Sequence, residues 1–268
     1  MVVHDLAFLH YPDFFKRRTS MYYKLFVPLF LNKVQTVATV SSYTMKDVVS
    51  IVPEKKDRVS VVYCAASDVY KPIDDVSVEK VRFSLTSGAP YFLFVGALHP
   101  RKNVVNLIRA FKKFKDETKS PIKLVVVGRY AWRSDAIKKE IESFPFQKEL
   151  IYVGSVTDQK LPGIVAAAYA VVYPSIFEGF GIPILEAMLC DVPVITSNSS
   201  SMPEVGGDAV LYINPLSVED IKDKLVRIAT DEKLRNEMIQ KSRLQRDKFN
   251  WGLTAKKLWE SVEMAHKL

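Results

Sequence analysis

Two glutamates, eight residues apart, bracket a glycine-containing turn and could bind the hydroxyl groups of a sugar. Glu178 and Glu186 lie within the segment FEGFGIPILEAM, which follows an apolar run typical of a buried strand. Gly179 and Gly181 lack side chains, so backbone N–H groups could approach a bound anion closely. A helix predicted to begin just after Gly181 would point its positive end at the same place. Because amide donors suit a diphosphate and carboxylates suit hydroxyl groups, the turn indicates a nucleotide sugar as its ligand.

The elements that must position this turn are alternating strands and helices. Most candidate strands are continuous apolar runs, which is the pattern of strands buried on both faces of a parallel sheet. Apolar residues at helical spacing between them, as in residues 104–114 and 221–228, indicate amphipathic helices. The fold class is therefore predicted to be α/β, with a doubly wound parallel sheet. The predicted strands are Thr36–Ser41, Val59–Tyr63, Tyr91–Val95, Lys123–Val127, Leu150–Val153, Ala170–Tyr173 and Val192–Thr196.

A domain boundary is predicted between Tyr70 and Pro90, where turn and breaker residues accumulate. After it, strand and helix alternate regularly up to residue 248. Before it, the chain offers only two or three strands, which are too few for a complete Rossmann-like domain. We therefore expect a partial domain over residues 1–75 and a complete one over 76–248.

The composition excludes several classes of protein. The 268 residues are 48% hydrophobic and 25% charged, which argues against disordered and coiled-coil proteins. Two cysteines, Cys64 and Cys190, are too few for a disulfide framework or a cysteine zinc site. No apolar run could span a membrane and the first residues are unlike a secretory signal, so we expect a cytoplasmic protein, either free or at the inner face of the membrane. The net charge of +8 favours anionic partners, or else reflects only a solvated basic surface.

Several motifs, in order and at matching spacing, resemble the retaining glycosyltransferases of family 4 (glycosyl transferases group 1), which have the GT-B fold. Glu178-x7-Glu186 resembles the E-x7-E signature of that family. The resemblance implies the latter part of an N-terminal Rossmann-like domain, a complete C-terminal one that binds the nucleotide sugar, and a final helix over 249–268 that returns to the N-terminal domain. The matching stretches are VHD at 3–5, ATVSS at 38–42, VGALHPRKN at 95–103, VGR at 127–129, VGSVTD at 153–158, VPVITS at 192–197, MPEV at 202–205 and FNW at 249–251.

The resemblance implies transfer of a sugar, with retention of its anomeric configuration, from a nucleotide sugar to a glycan or lipid-linked acceptor. It implies no metal and no cofactor, since the nucleotide sugar is a co-substrate. The sequences HDLAF and PRKN resemble bacterial mannosyltransferases that build surface polysaccharide. This favours GDP-mannose as the donor, with a UDP-sugar as the close alternative.

The resemblance also implies roles for single residues. Arg101 and Lys102 match the pair that holds the donor diphosphate, where fixed cations would stabilise the charge of the leaving group. Glu178 matches a glutamate that contacts the donor sugar, and His4 matches a histidine that reaches the reaction centre. A solvated basic turn and a structural histidine are the alternative interpretations of Arg101–Lys102 and His4. The predicted catalytic residues are Glu178, Arg101, Lys102 and His4, and the predicted donor-binding residues are Gly96, Ser155, Phe180, Gly181, Ile182 and Glu186.

One departure from the family concerns the beginning of the N-terminal domain, whose first strand and glycine-rich loop have no counterpart in this sequence. Two other functions stay open beside glycosyl transfer. The first is a nucleotide-sugar-binding fragment that needs a separate chain to supply the absent region. The second, more remote, is a basic α/β protein that binds nucleic acid. The pair Glu178 and Glu186 favours a sugar ligand over this last function, so no nucleic-acid partner is expected.

The segment FFKRRTSMYYKLF, residues 14–26, interleaves basic and aromatic side chains. Such a segment could rest on an anionic lipid surface, as a peripheral membrane contact. The favoured alternative is a helix that packs its aromatic side chains into the N-terminal domain and leaves its cations in water. RNA binding has no support from an RRM, KH or helix-turn-helix signature.

Overall fold

The computed structural model describes residues 1–267 and contains two sheets in which all strand pairs are parallel. The first sheet consists of β1 (Val2–Val3), β2 (Val37–Thr39) and β3 (Val59–Val61), side by side in that order. The second consists of β4 (Tyr91–Val95), β5 (Lys123–Val127), β6 (Leu150–Gly154), β7 (Ala170–Tyr173), β8 (Val194–Ser197) and β9 (Leu211–Ile213). Its spatial order is β6-β5-β4-β7-β8-β9. The predicted α/β class with parallel sheets is confirmed.

Helices connect these strands and cover the sheets. The α-helices are α1 (Ala7–His10), α2 (Arg17–Lys33), α3 (Ser42–Ile51), α4 (Asp75–Thr86), α5 (Val104–Thr118), α6 (Asp135–Glu142), α7 (Leu161–Ala166), α8 (Ile182–Leu189), α9 (Met202–Gly206), α10 (Val218–Thr230), α11 (Glu232–Arg246) and α12 (Trp251–His266). In the part of the chain that the structure describes, none of these helices is both long and apolar enough to cross a bilayer.

Burial on both faces explains the continuous apolar runs of the second sheet. Successive side chains of β4 point to opposite faces. Phe92 and Phe94 join a core with residues of α5 and α10, whereas Tyr91 and Leu93 join a core with residues of α7 and α8. Each face therefore needs an apolar residue, and the run has no polar alternation.

The strand order of the second sheet reverses between β4 and β7. The chain proceeds outward from β4 through β5 to β6, and then returns to place β7 on the other side of β4. At such a reversal the loops after the two central strands diverge and leave a crevice beyond their carboxyl ends. The loop after β4 carries Arg101 and Lys102, and the loop after β7 carries Glu178.

The chain crosses between the two sheets twice. It passes first through residues 66–74 into α4, which packs on α7 of the second sheet. It returns through α12, which lies against β2 and β3. The Thr36 hydroxyl donates to the carbonyl of Ser261 at 3.1 Å, and the Trp251 indole N–H donates to the carbonyl of Ala66 at 3.1 Å.

Three local features differ from the sequence-based expectations. β1 and β9 were not predicted as strands, because two or three residues are too short to show a pattern of their own. Residues 17–33 form α2, but its aromatic side chains pack into the first domain only in part. Tyr23 packs on the core residue Phe8 with ring centroids 5.4 Å apart, whereas Tyr22 is half exposed. The favoured interpretation of this segment is therefore wrong for Tyr22, since the helix is apolar on more than one face.

Candidate active site

Arg101, Lys102 and Glu178 meet at the crevice between β4 and β7. Arg101 Nη1 donates to Glu178 Oε2 at 2.9 Å, and Lys102 Nζ donates to Glu178 Oε1 at 2.6 Å. Glu178 is buried, and both cations are largely shielded from water. Two cations thus share one carboxylate, so the cluster retains an excess positive charge that suits a phosphate group.

Side-chain hydrogen bonds hold the loop after β4 against the loops after β7 and β9. Pro100–Lys102 form a single 3-10 turn, which the His99 imidazole caps by accepting from the N–H of Arg101 at 3.2 Å. Asn103 follows in the left-handed conformation, with φ of 58°. Its side-chain amide donates to the carbonyls of Pro174 at 3.1 Å and Pro215 at 2.6 Å. These bonds set the distance between the cations and the carboxylate.

The charges of the cluster shift the pKa values of its members. Burial would raise the pKa of the Glu178 carboxyl, but Lys102 and Arg101 outweigh it and hold that pKa below its ordinary value. Burial lowers the pKa of Lys102, opposed by its contact with Glu178. For Arg101 burial also acts to lower the pKa, but Glu178 overcomes it and the pKa is raised. Glu178 is therefore an anion at neutral pH.

Tyr173, predicted only as the last residue of a strand, is a further member of the cluster. Its hydroxyl oxygen accepts from Lys102 Nζ at 2.6 Å, and its ring lies 5.0 Å from that nitrogen. Burial raises the pKa of Tyr173 well above its ordinary value, so the phenol keeps its proton. The signal in the sequence was a polar-tipped residue at the carboxyl end of a central strand.

Three consecutive serines, which no sequence motif had indicated, fix the loop that carries Glu178. Ser200 Oγ accepts from the N–H of Glu178 at 2.9 Å. The Ser201 hydroxyl donates to the carbonyls of Glu178 at 2.9 Å and Phe180 at 2.8 Å. Ser199 bonds the same loop closer to β7. The segment that follows β8 therefore holds this turn in place.

Both glycines of the turn are required by its surroundings. A Cβ atom on Gly179 would lie 1.9 Å from the carbonyl oxygen of His4, so the two loops touch backbone to backbone. Gly181 has φ of 108° and immediately precedes α8. Its left-handed conformation turns the start of α8 toward the crevice, as the sequence predicted for an anion-binding helix end.

A cavity of about 290 Å³ lies between the loops of the two sheets. Of the predicted site residues, His4, Gly96, Lys102, Glu178, Phe180, Gly181 and Ile182 line it. Arg101 is not among the lining residues, but it donates a hydrogen bond to Glu178, which is. Within residues 1–267, no three His, Cys, Asp or Glu side chains are grouped so that they could hold a metal ion.

Ser155 and Glu186 stand apart from this cavity. Ser155 is exposed on the loop after β6. Glu186 lies within α8, where it is half-buried beside Tyr70. Burial raises the pKa of its carboxyl, and a hydrogen bond from Tyr70 opposes this. Neither residue is among those that line the cavity beside Glu178.

Phe177, in the loop after β7, and Glu204, in α9, anchor the second domain to the first. The Phe177 ring stacks on the imidazole of His10 with centroids 5.2 Å apart, and Tyr43 lies edge-on at 5.7 Å. Glu204 accepts from the N–H of Ser42 at 2.8 Å, at the start of α3. The partners in each contact are more than 130 residues apart, so no local pattern could have revealed them.

Comparison with known proteins gives a consistent result. The family model for glycosyl transferases group 1 matches residues 77–245. The chain is 31% identical over 250 residues to the O-antigen chain mannosyltransferase B of Escherichia coli, covering 92% of this chain and 65% of that protein. It is 30% identical over 216 residues to the O-antigen chain mannosyltransferase RfbU of Salmonella typhimurium, covering 80% of this chain and 56% of that protein. The chain thus spans less than two thirds of the length of either relative.

Solved structures share the fold. The crystal structure of Anabaena Alr3699/HepE in complex with UDP and glucose has a TM-score of 0.84 at 19% identity, covering 98% of this chain and 70% of that one. The arrangement of two parallel sheets is that of GT-B glycosyltransferases. The span matched by the family model makes up more than half of the chain and includes Arg101, Lys102 and both glutamates of the E-x7-E signature. This chain belongs to the glycosyl transferases group 1.

Proposed function

We propose that the chain is the donor-binding part of a retaining glycosyltransferase that moves a sugar from a nucleotide sugar to a glycan or lipid-linked acceptor in polysaccharide synthesis. The observation that carries this is the buried Glu178 shared by Arg101 and Lys102 beyond the ends of β4 and β7. The reaction class, transfer of a sugar, is inferred from membership of the glycosyl transferases group 1. The same proposal includes a cytoplasmic location with peripheral membrane contact, and no nucleic-acid partner.

The cluster can serve both halves of such a donor. The diphosphate would share Arg101 and Lys102 with Glu178, while a carboxylate oxygen of Glu178 accepts from a hydroxyl group of the sugar. When the glycosidic bond breaks, the electron pair leaves with the diphosphate and the two fixed cations stabilise the added charge. In same-face attack the acceptor oxygen bonds to the sugar carbon and its proton passes to the departing phosphate. These steps need no resident metal or cofactor.

Mannose is the proposed sugar and GDP-mannose the proposed donor. The support is the similarity to two proteins named as O-antigen mannosyltransferases. A UDP-sugar is the alternative, because the Anabaena protein with the same fold was solved with UDP and glucose.

A second candidate function is a nucleotide-sugar-binding part that transfers nothing until a separate chain completes it. Two observations favour it. Both mannosyltransferase relatives are longer than this chain. In the described residues the first sheet has only three strands, with β1 at its edge.

Calorimetric titration with GDP, UDP, GDP-mannose and UDP-glucose tests the proposal. We expect binding of one nucleotide family, and similar losses for the diphosphate and the sugar donor in Arg101→Ala and Lys102→Ala. Arg109→Ala, which removes an exposed cation on α5, is the matched control. Folded protein that binds none of the four ligands would overturn the proposal. A transfer assay with the binding-competent chain then separates the two candidates, because only the first predicts transfer without an added chain.

A further inference from the structure

Ser175 has a buried hydroxyl group without a hydrogen bond, next to the cluster of Arg101, Lys102 and Glu178. It lies in the loop after β7, between Tyr173 at the end of that strand and Glu178. Its side chain is wholly buried, and its hydroxyl oxygen makes no hydrogen bond to any residue in 1–267. A buried hydroxyl group without a partner destabilises a folded protein, so its presence at this position calls for a physical reason.

The hydroxyl group of Ser175 lies beside two polar groups of the cluster, those of Tyr173 and Glu178. It is near enough to lower the pKa of both, because a hydroxyl donor favours the charged form of a phenol or a carboxyl group. Neither approach has the geometry of a hydrogen bond. Ser175 is therefore a free donor held close to a carboxylate that it does not bind.

Binding of a nucleotide sugar would change the partners of Glu178. Each oxygen of the carboxylate accepts from one cation, Arg101 at 2.9 Å and Lys102 at 2.6 Å. A diphosphate that shares these cations draws them away from Glu178. Because the carboxylate is buried, water cannot replace the weakened hydrogen bonds, and a buried charge needs another donor. The Ser175 hydroxyl group, on the same loop, can supply one.

We propose that Ser175 is a positioning residue, whose hydroxyl group donates to Glu178 when a diphosphate takes up Arg101 and Lys102. The carboxylate then stays ionised and keeps its second oxygen available to a hydroxyl group of the sugar. The inference rests on the proposed function, because the task that it assigns to Ser175 arises when the donor is bound.

Calorimetric titration with GDP and GDP-mannose, or with UDP and UDP-glucose, tests the inference. Ser175→Ala should weaken binding of both ligands about fivefold, because the complex loses a hydrogen bond to a charged group. Ser197→Ala is the matched control, since the hydroxyl group of Ser197, at the end of β8, is equally buried and has no partner in residues 1–267. It should bind both ligands like the parent chain. In the Glu178→Gln background, Ser175→Ala should weaken binding less than about twofold, whereas a purely structural role would give the same loss in both backgrounds.

Thermal unfolding tests the same contact without a nucleotide. Lys102→Met takes one cation away from Glu178, which is the change that a bound diphosphate is proposed to cause. Ser175→Ala should leave the melting temperature of the parent chain nearly unchanged, because its hydroxyl group makes no hydrogen bond there. It should lower the melting temperature of Lys102→Met by about 2–4 °C. Ser197→Ala should have the same effect in both backgrounds.

Equal binding by Ser175→Ala and Ser197→Ala would overturn the inference. The same loss of binding with and without Glu178→Gln would also overturn it, as would equal shifts of the melting temperature with and without Lys102→Met. A folded parent chain that binds none of the nucleotides overturns the proposed function instead. The melting temperatures then still decide whether Ser175 donates to Glu178 when a cation is withdrawn.

Discussion

Replacing Glu178 with glutamine should destabilise the chain and shift its preference toward bare nucleoside diphosphates. The carboxylate is buried and bridges Arg101 at 2.9 Å and Lys102 at 2.6 Å, so its loss leaves two shielded cations without an anion. Removing one partner of a buried ion pair costs about 3–5 kcal/mol, and glutamine, which keeps the shape and an acceptor, belongs at the lower end. A loss of about 3 kcal/mol lowers the melting temperature by about 6–12 °C in a chain of this size.

The same substitution removes a negative charge from beside the diphosphate. At an effective dielectric constant of about 20, unit charges roughly 6 Å apart repel by about 3 kcal/mol before screening, so even half of this would tighten diphosphate binding about tenfold. A nucleotide sugar gains the same reduction in repulsion, but its hydroxyl group then bonds a neutral amide oxygen instead of a carboxylate, which weakens that hydrogen bond by about 1 kcal/mol. The ratio of the two dissociation constants should therefore change about fivefold in favour of the diphosphate.

Calorimetry with GDP and GDP-mannose, or with the matching UDP pair, measures this ratio. Glu149→Gln is the control, because it breaks a partly buried ion pair with Lys115 that is remote from the cavity. It should lower stability without changing the ratio. If Glu178→Gln leaves the ratio as it is in the parent chain, then Glu178 does not discriminate between the sugar donor and the bare diphosphate.

Three further predictions concern the same loops. Tyr173→Phe removes a hydrogen bond from the charged form of Lys102 and so lowers the pKa of Lys102. Nucleotide binding should then weaken at a lower pH than in the parent chain, and identical pH profiles by calorimetry would contradict this. Gly179→Ala places a Cβ atom 1.9 Å from the carbonyl oxygen of His4. It should lower the free energy of unfolding, measured by denaturant titration, by at least about 2 kcal/mol. An unchanged midpoint would show that the two loops do not touch. The folded pKa of Glu178 lies below its ordinary value of 4.5, so its contribution to stability is complete above that pH and is lost as the pH falls below it. Melting temperatures between neutral and acid pH should therefore fall more steeply in the parent than in Glu178→Gln, and parallel curves would argue against the ion pair.

The α/β fold and the meeting of Arg101, Lys102 and Glu178 could be predicted because both follow from burial and strand direction. Phe92 and Phe94 face one core while Tyr91 and Leu93 face another, which forces a continuous apolar run that is visible in the sequence. Parallel strands put their following loops at one edge, so cations after β4 and a carboxylate after β7 had to lie near each other. The E-x7-E resemblance then indicated which carboxylate to choose.

Contacts between distant segments could not be predicted in the same way. Ser200 and Ser201 hold the Glu178 loop from the segment after β8, and the spacing of serines in a sequence does not indicate which loop they will face. The α2 helix is apolar on more than one face, so its sequence alone does not decide whether Val27 or Tyr22 faces the core. Such choices depend on how neighbouring elements pack, which local patterns do not encode.

Three consecutive residues link the candidate site to the contact between the two domains. Phe177 packs among aromatic side chains of the first domain, Glu178 bridges Arg101 and Lys102 of the second, and Gly179 touches the backbone of His4. The residues directly before and after Glu178 therefore both contact the first domain. Ser200 and Ser201 hold the same residue from the second domain. The carboxylate that bridges Arg101 and Lys102 is therefore positioned by contacts from both domains.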